Sequence, residues 1–138
     1  MQNCQIPDLP ADRIIITERN MSNDKEFLII SDLKKGFGEG ETRQEVLQGI
    51  NFKAAKGEMC VLLGPSGSGK STLLNIIGGI DSCDSGTISI GGDTLTAMNE
   101  EALTQYRRKH LGYVFQLYNL IPNLNVKENI EVGAFLSD

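Results

Sequence analysis

The apolar residues of this chain fall into short runs that are separated by turn-forming residues. The runs at residues 27–33 and 46–52 predict two strands, with a glycine-containing loop at 36–40 between them. A third run, at residues 58–63, is mostly apolar, which is typical of a buried parallel strand. The first part of the chain is therefore predicted to be rich in strands.

Helical signals follow this third run. Residues 72–77 predict a helix that Gly78 and Gly79 can end, since glycine often stands just past the last helical turn. Turn formers come next, and residues 87–90 predict a further short strand.

A second helix is predicted to begin after Asn99, whose side chain can cap the first amide groups. Glu100 and Glu101 suit the start of a helix and the basic residues 107–109 suit its end, so the order of charges agrees with the helix dipole. The basic triplet is therefore interpreted as a solvated helix end and not as a binding patch.

The two ends of the chain carry weaker signals. Residues 111–115 form an apolar run that predicts a strand, and Asn125 with Glu128 resembles a capping box that opens a final helix. Residues 1–26 show no sustained period apart from a cluster of isoleucines at 14–16, and we expect a loosely ordered extension there.

One stretch between the third strand and the first helix fits the phosphate-loop pattern GxxxxGK[ST] at every position. It consists of Gly64, Pro65, Ser66, Gly67, Ser68, Gly69, Lys70, Ser71 and Thr72. Glycines let successive amide groups turn inward around a phosphate chain, the lysine places a positive charge on the outer phosphates, and the first serine after it offers a hydroxyl to Mg²⁺. A flexible glycine-serine linker is the alternative, but linkers are not normally framed by an apolar strand and a helix. The stretch predicts a binding site for ATP and Mg²⁺.

Composition narrows the class of protein. The chain has 138 residues, 40% of them apolar, which is enough for the core of one domain. Its net charge of −5 argues against nucleic acid and anionic lipid as partners. The three cysteines lack metal-ligand spacing and are interpreted as reduced thiols. No apolar run reaches the roughly 18 residues of a membrane span, so membrane attachment is expected to need another subunit.

The order of these motifs resembles the ATP-binding subunit of an ABC transporter. Beside the phosphate loop, the resemblance rests on a glycine-threonine turn at Gly86 and on residues 112–116, and it covers about residues 27–138. It implies an α/β fold of the P-loop NTPase class, of the ABC ATPase type, truncated, with an N-terminal antiparallel β portion and the start of the helical subdomain. Residues 76–81 and 119–122 look like the branch that serves lipoprotein release, macrolide export and antimicrobial-peptide export.

The resemblance also implies roles for two residues outside the phosphate loop. Phe37 stands where the family places an aromatic residue, more often tyrosine, that stacks on adenine; filling a local apolar cluster is an equal alternative. Gln116 matches a glutamine that contacts Mg²⁺ or the attacking water and links the nucleotide site to the membrane subunit; the alternative is a solvent-facing strand end. His110 does not match the family's switch histidine, and we expect a structural role for it.

Other catalytic elements of the family are absent from this sequence. After Gln116 there is no apolar strand that ends in paired acids, no Leu-Ser-Gly-Gly-Gln stretch and no switch histidine. We therefore interpret the chain as the N-terminal part of a cassette, in which only Lys70 and Gln116 of the catalytic groups are present, and expect it to bind ATP without hydrolysing it.

For the full-length family protein, the resemblance implies a cytoplasmic ATPase that pairs with a second cassette on a membrane permease at the inner face of the membrane. It would export or release a hydrophobic or amphiphilic substrate. Two alternatives remain: a different P-loop kinase, which needs an acceptor site and a basic lid, and a nucleotide-dependent scaffold of the cell-division type.

Overall fold

A computed structural model of the protein describes residues 15–17, 26–115 and 117–135. The chain divides into two compact units, residues 1–97 and 98–138. The described strands and helices of the first unit are β1 (Ile15–Thr17), β2 (Glu26–Phe37), β3 (Gln44–Ala55), β4 (Val61–Leu63), α1 (Lys70–Ile77), β5 (Ser85–Ile90) and β6 (Asp93–Thr94). Those of the second unit are α2 (Glu100–His110) and α3 (Val126–Phe135).

The main sheet of the first unit is antiparallel, in the order β3, β2, β5, β6. Strands β2 and β3 are both longer than the apolar runs predicted, and β2 continues through Gly36 to Phe37, where a loop was expected. The extension has a physical cause: the Gly36 amide donates to Asp84 Oδ2 at 2.6 Å, so this backbone is fixed from outside the β2–β3 ladder. The predicted antiparallel β portion is present in this sheet.

The core of the first unit is built from one face of this sheet and one face of α1. Its most buried side chains are Ile30, Leu33, Leu47, Leu73 and Ile88. Because Leu73 lies in the first turn of α1, burial of this face fixes the start of the helix. Helix α1 ends as predicted, with Gly79 in the left-handed region at φ 63°.

A second, two-stranded sheet pairs β1 with β4, and this corrects two predictions. The pairing is antiparallel, not parallel, and β4 spans Val61–Leu63 instead of 58–63. Val61 and Leu63 are 45% and 38% exposed, so the strand is not fully buried. An apolar run as short as this one is a poor predictor of burial, and it does not indicate whether the partner strand is parallel or antiparallel. The partner comes from the isoleucine cluster in the N-terminal extension, most of which lies outside the described residues.

The second unit contains the two capped helices that the sequence predicts. Asn99 Oδ1 accepts from the Ala102 amide at 2.9 Å at the start of α2. At the start of α3, the Asn125 amide donates to Glu128 Oε2 at 2.7 Å, and the Glu128 amide donates to Asn125 Oδ1 at 3.0 Å. The capping box is therefore confirmed. The expected structural role of His110 agrees with its ring, which stacks on Tyr106 with centroids 5.7 Å apart.

The strand predicted at residues 111–115 is wrong. The backbone there forms neither strand nor helix, and the side chains of Val114 and Phe115 are 95% and 53% exposed. A strand needs a neighbour to take up its amide and carbonyl groups, and the described part of the second unit contains none. Instead the rings of Tyr113 and Phe115 pack on each other, with centroids 4.6 Å apart.

Candidate nucleotide site

A strand, a glycine-rich loop and a helix follow one another directly in the first unit. Strand β4 ends at Leu63, the loop occupies residues 64–69, and α1 begins at Lys70. The backbone at residues 64–67 is exposed, whereas Gly69 is buried. The loop therefore opens to solvent at its tip and is anchored where it meets the helix.

Two glycines set the path of this loop. Gly67 and Gly69 have φ angles of 80° and 92°, which lie in the left-handed region that other residues avoid. A Cβ atom at Gly69 would also lie 2.7 Å from Val46 Cγ1 and 3.2 Å from the Val46 carbonyl oxygen. Gly69 is thus required twice, by its dihedral angle and by its packing on β3.

The side chain of Lys70 folds back over the loop that precedes it. Its amine donates to the carbonyl oxygens of Gly64 and Pro65, at 2.8 and 2.6 Å, and lies 3.3 Å from Ser68 Oγ. The three hydrogens of the ammonium are therefore directed at the loop itself. This geometry places a fixed positive charge within the curve of the loop, where an anion would be attracted.

The first turn of α1 adds amide donors to the same place. The first hydrogen bond of the helix runs from the Leu73 amide to the Gly69 carbonyl at 2.8 Å, so the amides of Lys70, Ser71 and Thr72 have no acceptor within the helix. Such amides, together with the positive end of the helix dipole, favour phosphate groups. The residues present therefore fit a polyphosphate.

The structure describes one of the two predicted ligands for Mg²⁺. Ser71 lies in the first turn of α1 and is exposed, so its hydroxyl oxygen is accessible to a cation held by phosphates. Gln116 lies outside the described residues. The geometry fits a magnesium-nucleotide complex at Ser71.

The predicted adenine contact, Phe37, is the last residue of β2, and its side chain is 47% exposed. It pairs with Gln44, two positions along β3 from Val46, the residue on which Gly69 packs. The aromatic ring and the phosphate loop thus lie against the same end of one hairpin. The exposure leaves area on the ring for a stacking partner.

One residue near this site was missed by the sequence analysis. Lys35 is buried, with 8% of its surface exposed, and its amine lies over the Phe37 ring, 5.2 Å from the centroid. Its position two residues after the buried Leu33 was a usable signal, because alternate residues of a strand share a face.

Membrane-spanning helices and clusters of metal-binding side chains are both absent from the described residues. No helix there has the length and apolar character needed to cross a membrane. In the same residues, no group of three or more histidine, cysteine, aspartate or glutamate side chains is placed to hold a metal ion.

A strand, a loop shaped by left-handed glycines and a helix that begins at a lysine define a nucleotide-binding protein of the P-loop class. The model of the ABC transporter family matches residues 47–137, more than half of the chain, and the chain belongs to this family. The family resemblance and the fold class inferred from the sequence are thereby confirmed.

Curated relatives and a solved structure agree with this assignment. The bacitracin export ATP-binding protein BceA of Halalkalibacterium halodurans is 47% identical over 104 residues, which are 75% of this chain and 41% of that protein. The lipoprotein-releasing system ATP-binding protein LolD of Geobacter metallireducens is 45% identical over 111 residues, 80% of this chain and 49% of that protein.

Among solved structures, the ATP-binding cassette MJ0796, as a dimer in a post-hydrolysis state with ADP and Pi, superimposes with a TM-score of 0.71. It is 35% identical, over 80% of this chain and 48% of that one. Across the curated relatives, the chain spans from 17% to 49% of their length.

Proposed function

We propose that this chain is the nucleotide-binding part of an ABC transporter subunit that uses MgATP to export or release a hydrophobic or amphiphilic substrate through a membrane permease. The export-type names of its relatives, BceA and LolD among them, support this direction of transport and this substrate class. The dimeric cassette among its structural relatives supports a second cassette as partner.

The observation that carries the proposal is the position of the Lys70 ammonium inside the curve of the phosphate loop. The carbonyl oxygens of Gly64 and Pro65 hold it there. The charge already lies beside the loop, so an anion bound there would be attracted to it.

When bound, MgATP supplies a triphosphate with four negative charges and an adenine ring. The amides of α1 would donate to phosphate oxygens, and Lys70 would neutralise charge on the outer two phosphates. The hydroxyl of Ser71 would hold the metal ion, and Gln116 stays a sequence-based prediction for a second ligand. The exposed ring of Phe37 would stack on the base.

This chain alone is expected to bind MgATP without hydrolysing it. Phosphoryl transfer depends on positioning of the attacking water and on charge stabilisation, and the sequence contains no paired acids at the end of an apolar strand to supply either. The phosphate contacts, by contrast, are local to residues 64–72.

Equilibrium binding of MgATP, measured by calorimetry, tests the proposal. We expect a dissociation constant in about the micromolar range for the wild-type chain. Lys70→Ala should weaken binding by about tenfold or more, because a charge-assisted hydrogen bond contributes about 1.5 to 3 kcal/mol. Lys56→Ala, at an exposed lysine in the turn before β4, is the matched control and should leave the affinity unchanged.

Unchanged affinity in Lys70→Ala would refute the phosphate-loop assignment. Release of inorganic phosphate is followed in the same samples. Turnover by the isolated chain would contradict the expectation that it binds MgATP without hydrolysing it. Copurification with a membrane permease would support the transporter, whereas copurification with cell-division proteins would favour the scaffold.

A further inference from the structure

Lys35 is held under the Phe37 ring by two acceptors from a distant loop. Its amine donates to Asp81 Oδ1 at 3.1 Å and to the Ser82 carbonyl oxygen at 2.7 Å. A buried ammonium is unfavourable unless it is paired, and these two bonds together with the ring account for its environment. The charge is therefore fixed in position, and it covers one face of the ring.

The same loop, residues 81–84, also bonds the backbone on either side of Lys35. The Asp84 amide donates to the Lys34 carbonyl oxygen at 2.9 Å, and Asp84 Oδ2 accepts from the Gly36 amide at 2.6 Å. The Arg43 guanidinium donates to this carboxylate as well, at 2.6 Å. These bonds hold the pKa of Asp84 below its usual range, the Gly36 amide having the largest effect. Three successive residues before Phe37 are thus anchored to one loop.

This loop follows the helix that begins at the phosphate loop. Helix α1 carries Lys70 at its first position and ends at Ile77, and the loop follows after two glycines and Ile80. The strand that presents Phe37 is therefore tied to the C-terminal end of the helix whose N-terminal end adjoins the phosphate loop. Such a link fixes the distance between the ring and the phosphate loop.

We propose that Lys35 is a positioning residue for the nucleotide base, which holds the ring of Phe37 so that only its outer face is free to stack on a purine. The proposal rests on the proposed function, because it assumes a nucleoside triphosphate in the loop. The ammonium on the inner face is attracted by the ring, and its bonds to Asp81 and Ser82 keep the ring from turning inward.

A comparison of two ligands separates positioning of the base from support of the fold. Binding of MgATP and of magnesium tripolyphosphate is measured for the wild type, Lys35→Met, Phe37→Ala and the double variant. We expect Lys35→Met to weaken MgATP by about fivefold, the lower end of the loss of a base stack, and to leave tripolyphosphate unchanged. The same substitution should have no further effect on MgATP when Phe37 is already alanine.

Two variants serve as controls. Lys34→Met removes the neighbouring lysine, which is exposed and paired with Asp32 at 3.1 Å, and should change neither ligand. Lys35→Arg keeps a cation and donors at the position and should regain most of the MgATP affinity. If Lys35→Met does not fold, as judged by circular dichroism, Asp81→Asn replaces it, since it weakens the same anchor at a partly exposed site.

An equal loss of both ligands in Lys35→Met would overturn the proposal, because it would indicate a purely structural role. An undiminished loss in the Phe37→Ala background would overturn it too. If the wild-type chain binds neither ligand, the proposed function fails, and thermal unfolding of the wild type and the three variants without nucleotide then tests the premise of the inference, the contact between Lys35 and Phe37. Additive changes in Tm would refute the contact between Lys35 and Phe37, and coupled changes would support it.

Discussion

In the described part of residues 1–97, an apolar core is present in which Leu33, Leu47, Leu73 and Ile88 are all 0% exposed. In the described part of residues 98–138, by contrast, the buried hydrophobic residue is Tyr106, which is 8% exposed. In the second unit, large apolar side chains such as Leu117, Leu120 and Val126 are 65% to 79% exposed. A groove of about 320 Å³ is lined by Leu120, Val126 and other residues between 120 and 130. The two units therefore depend on different interactions.

The first unit is stabilised by burial of apolar side chains. Its phosphate loop is held in place at one end because Gly69 and Leu73 are buried. The second unit is organised by hydrogen bonds that its helices make with their own capping residues, Asn99 and Asn125. Burial contributes several times more free energy per residue than a cap does. We therefore expect a substitution in the first unit to destabilise the whole unit, and a substitution in the second unit to have a local effect on stability.

The largest expected effect is that of Leu73→Ala. Its side chain is fully buried, and removal of a buried leucine side chain costs about 2 to 5 kcal/mol of unfolding free energy. The next residue of the same helix, Leu74, is 47% exposed, and Leu74→Ala is the matched control with a much smaller cost. Chemical denaturation measures both. Equal losses would contradict the view that one face of α1 carries the core.

The next effect separates two reasons for glycine in the loop. Gly67→Ala and Gly69→Ala both force a side chain into the left-handed region, at a cost of about 1 to 2 kcal/mol. Only at Gly69 would the new Cβ collide with Val46, since nothing lies within 4 Å of the Cβ position at Gly67. We expect Gly69→Ala to lower the free energy of unfolding by about 1 to 3 kcal/mol more than Gly67→Ala does, as measured by thermal or chemical unfolding. Equal costs would mean that contact with β3 is unimportant.

Features completed within a few residues could be predicted from the sequence. The phosphate loop, the cap at Asn99 and the capping box at Asn125 are of this kind, because donor and acceptor are at most six residues apart. Their chemistry is set by the local chain, and tertiary structure has little to change.

Features that need a distant partner were missed or wrong. The burial of Lys35 depends on Asp81 and Ser82, which are 46 and 47 residues away. The direction of β4 depends on β1, drawn from a segment whose composition predicts no regular structure. The apolar run at 111–115 lacks a strand neighbour within the described part of its unit, so Val114 and Phe115 remain exposed. An apolar pattern records a tendency to be buried, and it does not identify the partner.

A smaller effect is expected at the caps of the second unit. Asn125→Ala removes the acceptor for the Glu128 amide and should cost about 1 kcal/mol of helix stability. Because the second unit has few buried apolar contacts, the loss of stability should be local. We expect faster hydrogen exchange at the first amides of α3 and unchanged exchange in α1. Asn123→Ala, at an exposed asparagine before the cap, is the control. Faster exchange throughout the first unit would show that the two units are energetically coupled.

The smallest effect is expected at Asp84, and it depends on pH. Hydrogen bonds from Gly36 and Arg43 lower the pKa of this carboxyl below 3.8, so its contribution to stability is present above that value and is lost as the pH falls through the lowered pKa. Because the group is exposed, Asp84→Asn should lower Tm at pH 7 by no more than about 4 °C. The gap between variant and wild type should then narrow below about pH 4 as the wild-type carboxylate is protonated. Asp93→Asn, at an exposed aspartate of β6, is the control. A gap that stays constant down to pH 2 would show that the charge of Asp84 does not hold the loop to β2, and that the anchor depends on neutral hydrogen bonds alone.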